Sequence, residues 1–345
     1  MSGARRRLDW LSGGWVLLLA GSLVAGIVAW RVVPILLSSS RAVGDGRNVA
    51  TYGFALEPLD VPRETLAASG FAKDGIPALV DPAVMRGDAV RALNDSRRGK
   101  YLVSDDRVIG VVLDGQTRAY PLRVLNWHEV VNDTLAGRPI AVTYHPLCDG
   151  AVVFDREVAG EVVEFGVSGL LSDSNLLMFD RRADAEEESL WSQLLARAVA
   201  GPAAAAGHRL DVLPASLARW DVWLDTHPDT TVLEPEPRLF ERYERNPYGN
   251  YFLTGRLRFP ADPLPPDGSH PWMQPIVVVE RAGVRWQRLL GSSGGTATIE
   301  PLPGVRLRLD ESTRPGSVLV EAPPGVAVFY SLWFAWYATH PPGAQ

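Results

Sequence analysis

The sequence predicts a mainly β, α+β fold: antiparallel, hairpin-rich sheets with a few short helices, set behind an N-terminal transmembrane helix. Three observations carry that expectation. Short runs of Val, Ile, Leu and Thr alternate with the two-residue period of a strand. Turn dipeptides such as Asp114-Gly115 sit between such runs, as tight hairpins require. Ahead of them lies one long uncharged stretch near the N-terminus.

That stretch, residues 10–30, follows Arg5-Arg6-Arg7, and at about 20 residues it can cross about 30 Å of hydrocarbon as a helix. Arginines before it and tryptophans towards both ends place the N-terminus in the cytoplasm and the main domain outside the inner membrane, as a single-pass protein. A cleaved signal peptide is the competing reading, although no small-x-small cleavage site follows directly. Residues 1–37 are then an anchor and 38–74 a tether and edge segment, strand-like only over 50–56.

The whole chain of 345 residues is 46% hydrophobic and 21% charged, enough for one large or two medium domains. A net charge of −6, with no basic cluster beyond the N-terminus, argues against a nucleic-acid partner. A single cysteine rules out a disulfide framework.

From Gly75 onward the elements follow in order. Residues 108–113 and 116–120 flank Asp114-Gly115 as a hairpin with a type I′ signal. Residues 121–131 read as a short helix or turn opened by Pro121, with His128 late in it. Strands over 140–144 and 151–154 enclose a six-residue loop, 145–150, in which Pro146 and Asp149-Gly150 promise a stiff connection. Strands at 162–167 and 175–179 precede a charged loop at 182–188 and an alanine-rich helix over 191–206, broken at Gly201-Pro202. Trp220 and Trp223 share one side of a further short helix. The proline-rich stretch 234–275 reads as the internal boundary, dividing a domain over 75–260 from a β-rich part over 261–345. The strands of this last part echo residues 108–154, and Ala327-Val328-Phe329 matches Ala151-Val152-Val153-Phe154, so a degenerate internal duplication packed on the first copy is one reading.

Chemistry concentrates in residues 119–155, which hold Trp127-His128-Glu129 and His145-Pro146-Leu147-Cys148. Cys148, His145 and His128 are the candidate catalytic residues or, in an alternative role, metal ligands. Trp127, Glu129, Ser168 and Asn175 are candidate pocket or supporting residues. A thiol in a histidine-bearing polar turn would be accessible and of depressed pKa. The bland readings are a buried Cys148, a His128 satisfied within the core and a Glu129 that only supports. His208, His227, His270 and His340 lie beside Gly or Pro in loops and read as structural or exposed.

Asn126-Trp-His-Glu-Val-Val-Asn-Asp133, Gly166-Val-Ser-Gly-Leu-Leu171, Leu176-Leu-Met-Phe-Asp-Arg181 and Ser189-Leu-Trp-Ser-Gln193 together resemble the DUF3179 family, from about Ile76 to Leu233 and again at residues 332–336. The family pattern has a cysteine where this chain has His145, and a glycine where it has Asp149, so no disulfide can close within the loop. Selenoprotein members of the family imply redox chemistry at this position, while the family as a whole has no established reaction. A His-x-x-Cys pair tolerates a metal better than an internal thiol cycle. The expectation is therefore a membrane-anchored extracytoplasmic module binding copper or zinc. A thiol-dependent redox enzyme and a non-catalytic envelope scaffold are the alternatives, and a thiol or metal-exchange partner in the cell envelope goes with the first two. The chain has no phosphate loop, dinucleotide fingerprint, Gly-x-Ser-x-Gly elbow or His-Glu-x-x-His.

Overall fold

Two-residue turns fix where the long hairpins fall. Asp114-Gly115 and Ala282-Gly283 hold both residues at positive φ, 45° and 77° in one and 49° and 79° in the other. That is the type I′ geometry whose twist matches the strands it joins. The computed structural model describes residues 21–22, 43–96, 98–291, 294–313 and 316–343. The expected membrane helix lies outside these apart from residues 21–22, and among the described residues no helix is long and apolar enough to cross a membrane.

In chain order the strands are β1 (Leu66–Ala68), β2 (Leu79–Val80), β3 (Val84–Arg86), β4 (Arg107–Leu113), β5 (Gln116–Pro121), β6 (Val130–Leu135), β7 (Arg138–His145) and β8 (Gly150–Asp155). Then come β9 (Glu157–Val158), β10 (Glu161–Val162), β11 (Phe165–Ser172), β12 (Asn175–Asp180), β13 (Leu190–Ser192), β14 (Arg197–Ala200), β15 (Val212–Leu213), β16 (Ala215–Arg219) and β17 (Thr231–Leu233). The last are β18 (Pro275–Arg281), β19 (Val284–Leu289), β20 (Thr296–Leu302), β21 (Val305–Asp310), β22 (Ser317–Glu321) and β23 (Ala327–Leu332). The helices are short: α1 (Ala89–Ser96), α2 (Leu122–Leu125), α3 (Pro202–Ala205), α4 (Trp220–Thr226), α5 (Phe240–Tyr243), α6 (Gly249–Thr254) and α7 (Trp333–Thr339).

Three sheets stack as layers. The middle one runs β19-β18-β23-β8-β7-β6-β2 with β15 on β8, one outer sheet runs β20-β21-β22-β16-β4-β5-β17-β3, and the other β1-β11-β12-β13-β14. Pairing is antiparallel except for β2 with β6 and β5 with β17. Strand alternation explains why the middle sheet is apolar on both faces. Ile140, Val142 and Tyr144 of β7 join the core shared with β4 and β21. Ala141 between them joins Phe165, Met178 and Trp191 in a second core against the five-stranded sheet.

The two large sheets share one plan. Exchanging β4, β5, β6, β7, β8 and β16 with β18, β19, β20, β21, β22 and β23 respectively turns the order β6-β7-β8-β23-β18-β19 into β20-β21-β22-β16-β4-β5. Register follows: Arg107 pairs with Arg219 and Val111 with Ala215, as Pro275 pairs with Leu332 and Val279 with Val328. Leu217 opposite Val318 matches Tyr330 opposite Ala151. Each set ends in the same words, Trp220-x-x-Trp223-x-x-Thr226-His227-Pro228 and Trp333-x-x-Trp336-x-x-Thr339-His340-Pro341. In both, the histidine packs on the second tryptophan, with ring centroids 4.1 Å and 3.9 Å apart.

Several local expectations change. Residues 191–206 are not one helix: β13 and β14 pair there, because Leu190 and Trp191 are drawn into the sheet beside β12, and only α3 is helical, after Gly201 at φ 83°. Packing has overridden alanine's propensity. Residues 50–56 are not a strand but begin in a 3₁₀ turn, Val49–Tyr52, capped by Asn48. The helix after Pro121 stops at Leu125, leaving His128 and Glu129 in the turn before β6. Ala327-Val328-Phe329 corresponds to β16, not to β8, beside which β23 lies.

Candidate functional site

The loop after β7 is a single 3₁₀ turn, Pro146–Cys148, which Pro146 can start because the first turn needs no amide donor from it. Asp149 then takes the left-handed conformation at φ 48°. Arg107 donates to its two carboxylate oxygens at 2.9 and 3.0 Å, and the Tyr144 hydroxyl donates to one of them at 2.8 Å. Gly150 restarts the sheet, and a β-carbon there would lie 2.8 Å from both Cys148 Sγ and Gln193 Oε1.

Cys148 is fully enclosed. Asn175 Nδ2 donates to its sulfur at 3.3 Å and to Gln193 Oε1 at 2.8 Å, and Gln193 Nε2 donates to Thr143 Oγ1 at 2.8 Å and the Gly150 carbonyl at 3.0 Å. Burial pushes the thiol up to about 12, against the opposing pull of the Asn175 and Gly150 donors. The accessible, low-pKa thiol expected of a polar turn is therefore not what forms. Tyr251 of α6 contributes to the closure by donating its hydroxyl to the Leu147 carbonyl at 2.8 Å.

His145 ends β7 on the same face as Ala141 and Thr143, and is 3% exposed. Glu129, also 3% exposed, reaches it with Oε1 3.5 Å from Nδ1, longer than a formed hydrogen bond. Both ring nitrogens of His145 are buried and lack a hydrogen-bond partner among the described residues. Glu129 sits at φ 56°, a left-handed conformation costing a residue with a β-carbon about 1–2 kcal/mol. Strain of this kind persists where surrounding structure enforces it, and it clusters at functional sites. The Leu125 carbonyl and the Tyr144 amide, bonded to Glu129 N and O at 2.8 Å each, do the enforcing. The pair borders a cavity of about 120 Å³ whose walls include Leu147, Leu171 and Leu176, with Tyr248 and Arg258 also lining it.

His128 stands apart from this group in its bonding. Its Nδ1 donates to the Pro77 carbonyl at 2.8 Å, which leaves Nε2 to accept from the Tyr243 hydroxyl at 2.8 Å, and burial lowers its pKa. Among the described residues no group of three or more His, Cys, Asp and Glu side chains is disposed to hold a metal ion. Ser168 Oγ bonds Leu170 N and the Leu177 carbonyl, holding the irregularity between Val167 and Leu170 rather than meeting a ligand. Trp127 packs against the larger core, with the Arg242 guanidinium 6.0 Å from its ring. The fold thus joins His145 with Glu129, and Cys148 with Asn175. Gln193, Tyr248 and Arg258 were not foreseen. Gln193 stood in a conspicuous Ser-Leu-Trp-Ser-Gln run, whereas nothing local marks Tyr248 and Arg258 within a proline-rich stretch.

The model of the family described as a protein of unknown function, DUF3179, matches residues 73–288. No curated protein and no solved structure matches the chain. With more than half of its residues within that match, the chain belongs to the DUF3179 family.

Proposed function

We propose that this is a membrane-anchored, extracytoplasmic protein that binds a small molecule at the Glu129–His145 pair, with His145 hydrogen-bonding to the bound molecule. One observation carries the reading: a histidine at a cavity wall, almost wholly buried, has no hydrogen-bond partner for either ring nitrogen among the described residues. An unmet buried polar group costs about 1–3 kcal/mol, and native interiors rarely keep one that nothing completes. Glu129 can hold Nδ1 and leave Nε2 for the ligand, since contacts that are long in an empty site tighten on binding. A copper or zinc module asks for donors that converge, and a redox thiol asks for an accessible thiolate. The engaged ring of His128 and the enclosed neutral Cys148 favour neither.

Ligand-observed NMR with a library of small fragments tests the reading on the full-length chain. Fragments that compete for one site should bind, and binding should vanish in both His145→Ala and Glu129→Gln at unchanged melting temperature. Binding indifferent to both variants would exclude this centre. The anchor is supported by Arg5 to Arg7 ahead of the apolar run. A reporter active only outside the cytoplasm, fused after Gln345, should be active, and a stable but silent fusion would reverse the topology. The matching strand sets are read as an internal duplication in which only the first copy carries the His145 loop, supported by shared register and the repeated Trp-x-x-Trp-x-x-Thr-His-Pro.

A further inference from the structure

We infer that the ligand of the Glu129–His145 cavity is a small carboxylate with a short apolar body, its anionic end at Arg258 and Tyr248 and its inner polar atom at His145. This rests on the small-molecule reading above and adds the chemical class.

Arg258 and Glu129 are the only formal charges among the described lining residues, so the cavity presents one basic and one acidic group. Glu129 is enclosed, whereas Arg258 is exposed. No carboxylate pairs with Arg258 among the described residues, and its guanidinium rests 5.3 Å from the centroid of the Tyr251 ring. An unpaired guanidinium presents a planar fork of donors that matches a carboxylate in two parallel hydrogen bonds.

Tyr248 lies within electrostatic reach of both charges. Burial raises its pKa, the Glu129 carboxylate adds to the rise, and the Arg258 charge opposes it. Its hydroxyl has no hydrogen-bond partner among the described residues and is a second donor for an anion. A carboxylate is thus attracted by Arg258 and repelled by Glu129, which orients it towards the guanidinium. The apolar body then meets Leu147, Leu171 and Leu176, and a carbonyl or hydroxyl can reach the unpartnered His145 ring. The volume is about 120 Å³. At about 30 Å³ for a water in the liquid, such a space holds on the order of four to six heavy atoms.

3-Hydroxypropionate, 3-hydroxypropionamide, 1,3-propanediol and 3-amino-1-propanol have similar shapes, a hydroxyl for His145 and different charges at the other end, and each can be titrated calorimetrically into the full-length chain. 3-Hydroxypropionate should bind about tenfold or more tightly than 3-hydroxypropionamide, the difference expected of a charge-assisted pair. Arg258→Gln, a change at an exposed position, should remove that preference. His145→Ala should weaken binding of both. If 3-hydroxypropionamide or 3-amino-1-propanol binds as well as 3-hydroxypropionate, or Arg258→Gln leaves the preference intact, the carboxylate class is wrong. The pocket reading survives that result provided His145→Ala still weakens binding. If none of the four binds at millimolar concentration, the carboxylate class falls, and the fragment screen decides the pocket reading.

Discussion

Cys148 occupies a turn of polar sequence, yet Asn175, Gln193 and the Tyr251 hydroxyl close the space around that turn. Its thiol should therefore resist alkylation in the folded protein at neutral pH and react only as fast as the chain opens. Rapid labelling under native conditions would show that the enclosure is wrong. An unfolded thiol ionises near about 8.5. Between there and about 12 the native state keeps a proton that the unfolded state has lost. The resulting stability is full below that window and falls within it by up to about 1.4 kcal/mol per pH unit. Buried histidines act at the other end: His128 and His227 are lowered by burial, and His340 falls to about 3, by burial first and then by the Arg285 charge. Their contribution is present above about 6.5 and is lost as pH falls through their folded values. Urea melts across pH should show both losses. His145, Glu129 and Cys148 stood out in the sequence by crowding. Their burial did not, because it is set by partners far along the chain, such as Tyr251, whose hydroxyl closes over the turn.

The turn from Pro146 to Asp149 shows how an element holds a residue with a β-carbon in a left-handed position. Glycine suits a left-handed position without cost, but this chain places Asp149 there and binds it through Arg107 and Tyr144. Asp149→Gly relieves the conformation and removes the charge facing a guanidinium that is largely buried. Leaving a buried charge unpaired costs about 3–5 kcal/mol, and the relief returns about 1–2 kcal/mol. The variant should lose about 1–4 kcal/mol in urea unfolding, and Arg107→Met should lessen the loss rather than add to it. An Asp149→Gly variant as stable as the parent would show that the bidentate pair contributes nothing. Elements with a local signal were readable: the Asp114-Gly115 hairpin, the runs around β7 and β8, and the tryptophan pair of α4. Those formed by distant pairing were not. β13 and β14 hid under an alanine-rich stretch, and the turn at Val49–Tyr52 under a strand-like one.

At the scale of the molecule, the exchange of strands between sheets governs what can be removed. The middle sheet takes β18, β19 and β23 from the C-terminal strands, and the outer sheet takes β20, β21 and β22. Two seams, β8 with β23 and β16 with β22, tie these strands to the earlier ones. Composition alone suggests a boundary in the proline-rich stretch 234–275, and the repeated Trp-x-x-Trp-x-x-Thr-His-Pro words were the signal for a deeper relation between the parts. That stretch also carries Tyr243, Tyr251 and Phe259, bonded to His128, Leu147 and Ser174. Truncation after residue 262 tests the division. It would strip Val277, Val279, Leu307, Leu309, Val318 and Val328 from the shared core. At about 1.5–3 kcal/mol for each buried aliphatic side chain the loss is on the order of ten kcal/mol, comparable to the whole net stability of a typical domain, about 5–15 kcal/mol. Cut edges of β8 and β16 would also be left without partners. The fragment 1–262 should therefore be insoluble or protease-sensitive and show no cooperative melt, while co-expression of 263–345 should restore a folded complex. A soluble 1–262 fragment with a sharp thermal transition would instead make the C-terminal strands an appendage, and the shared plan of the two sheets would have no part in stability.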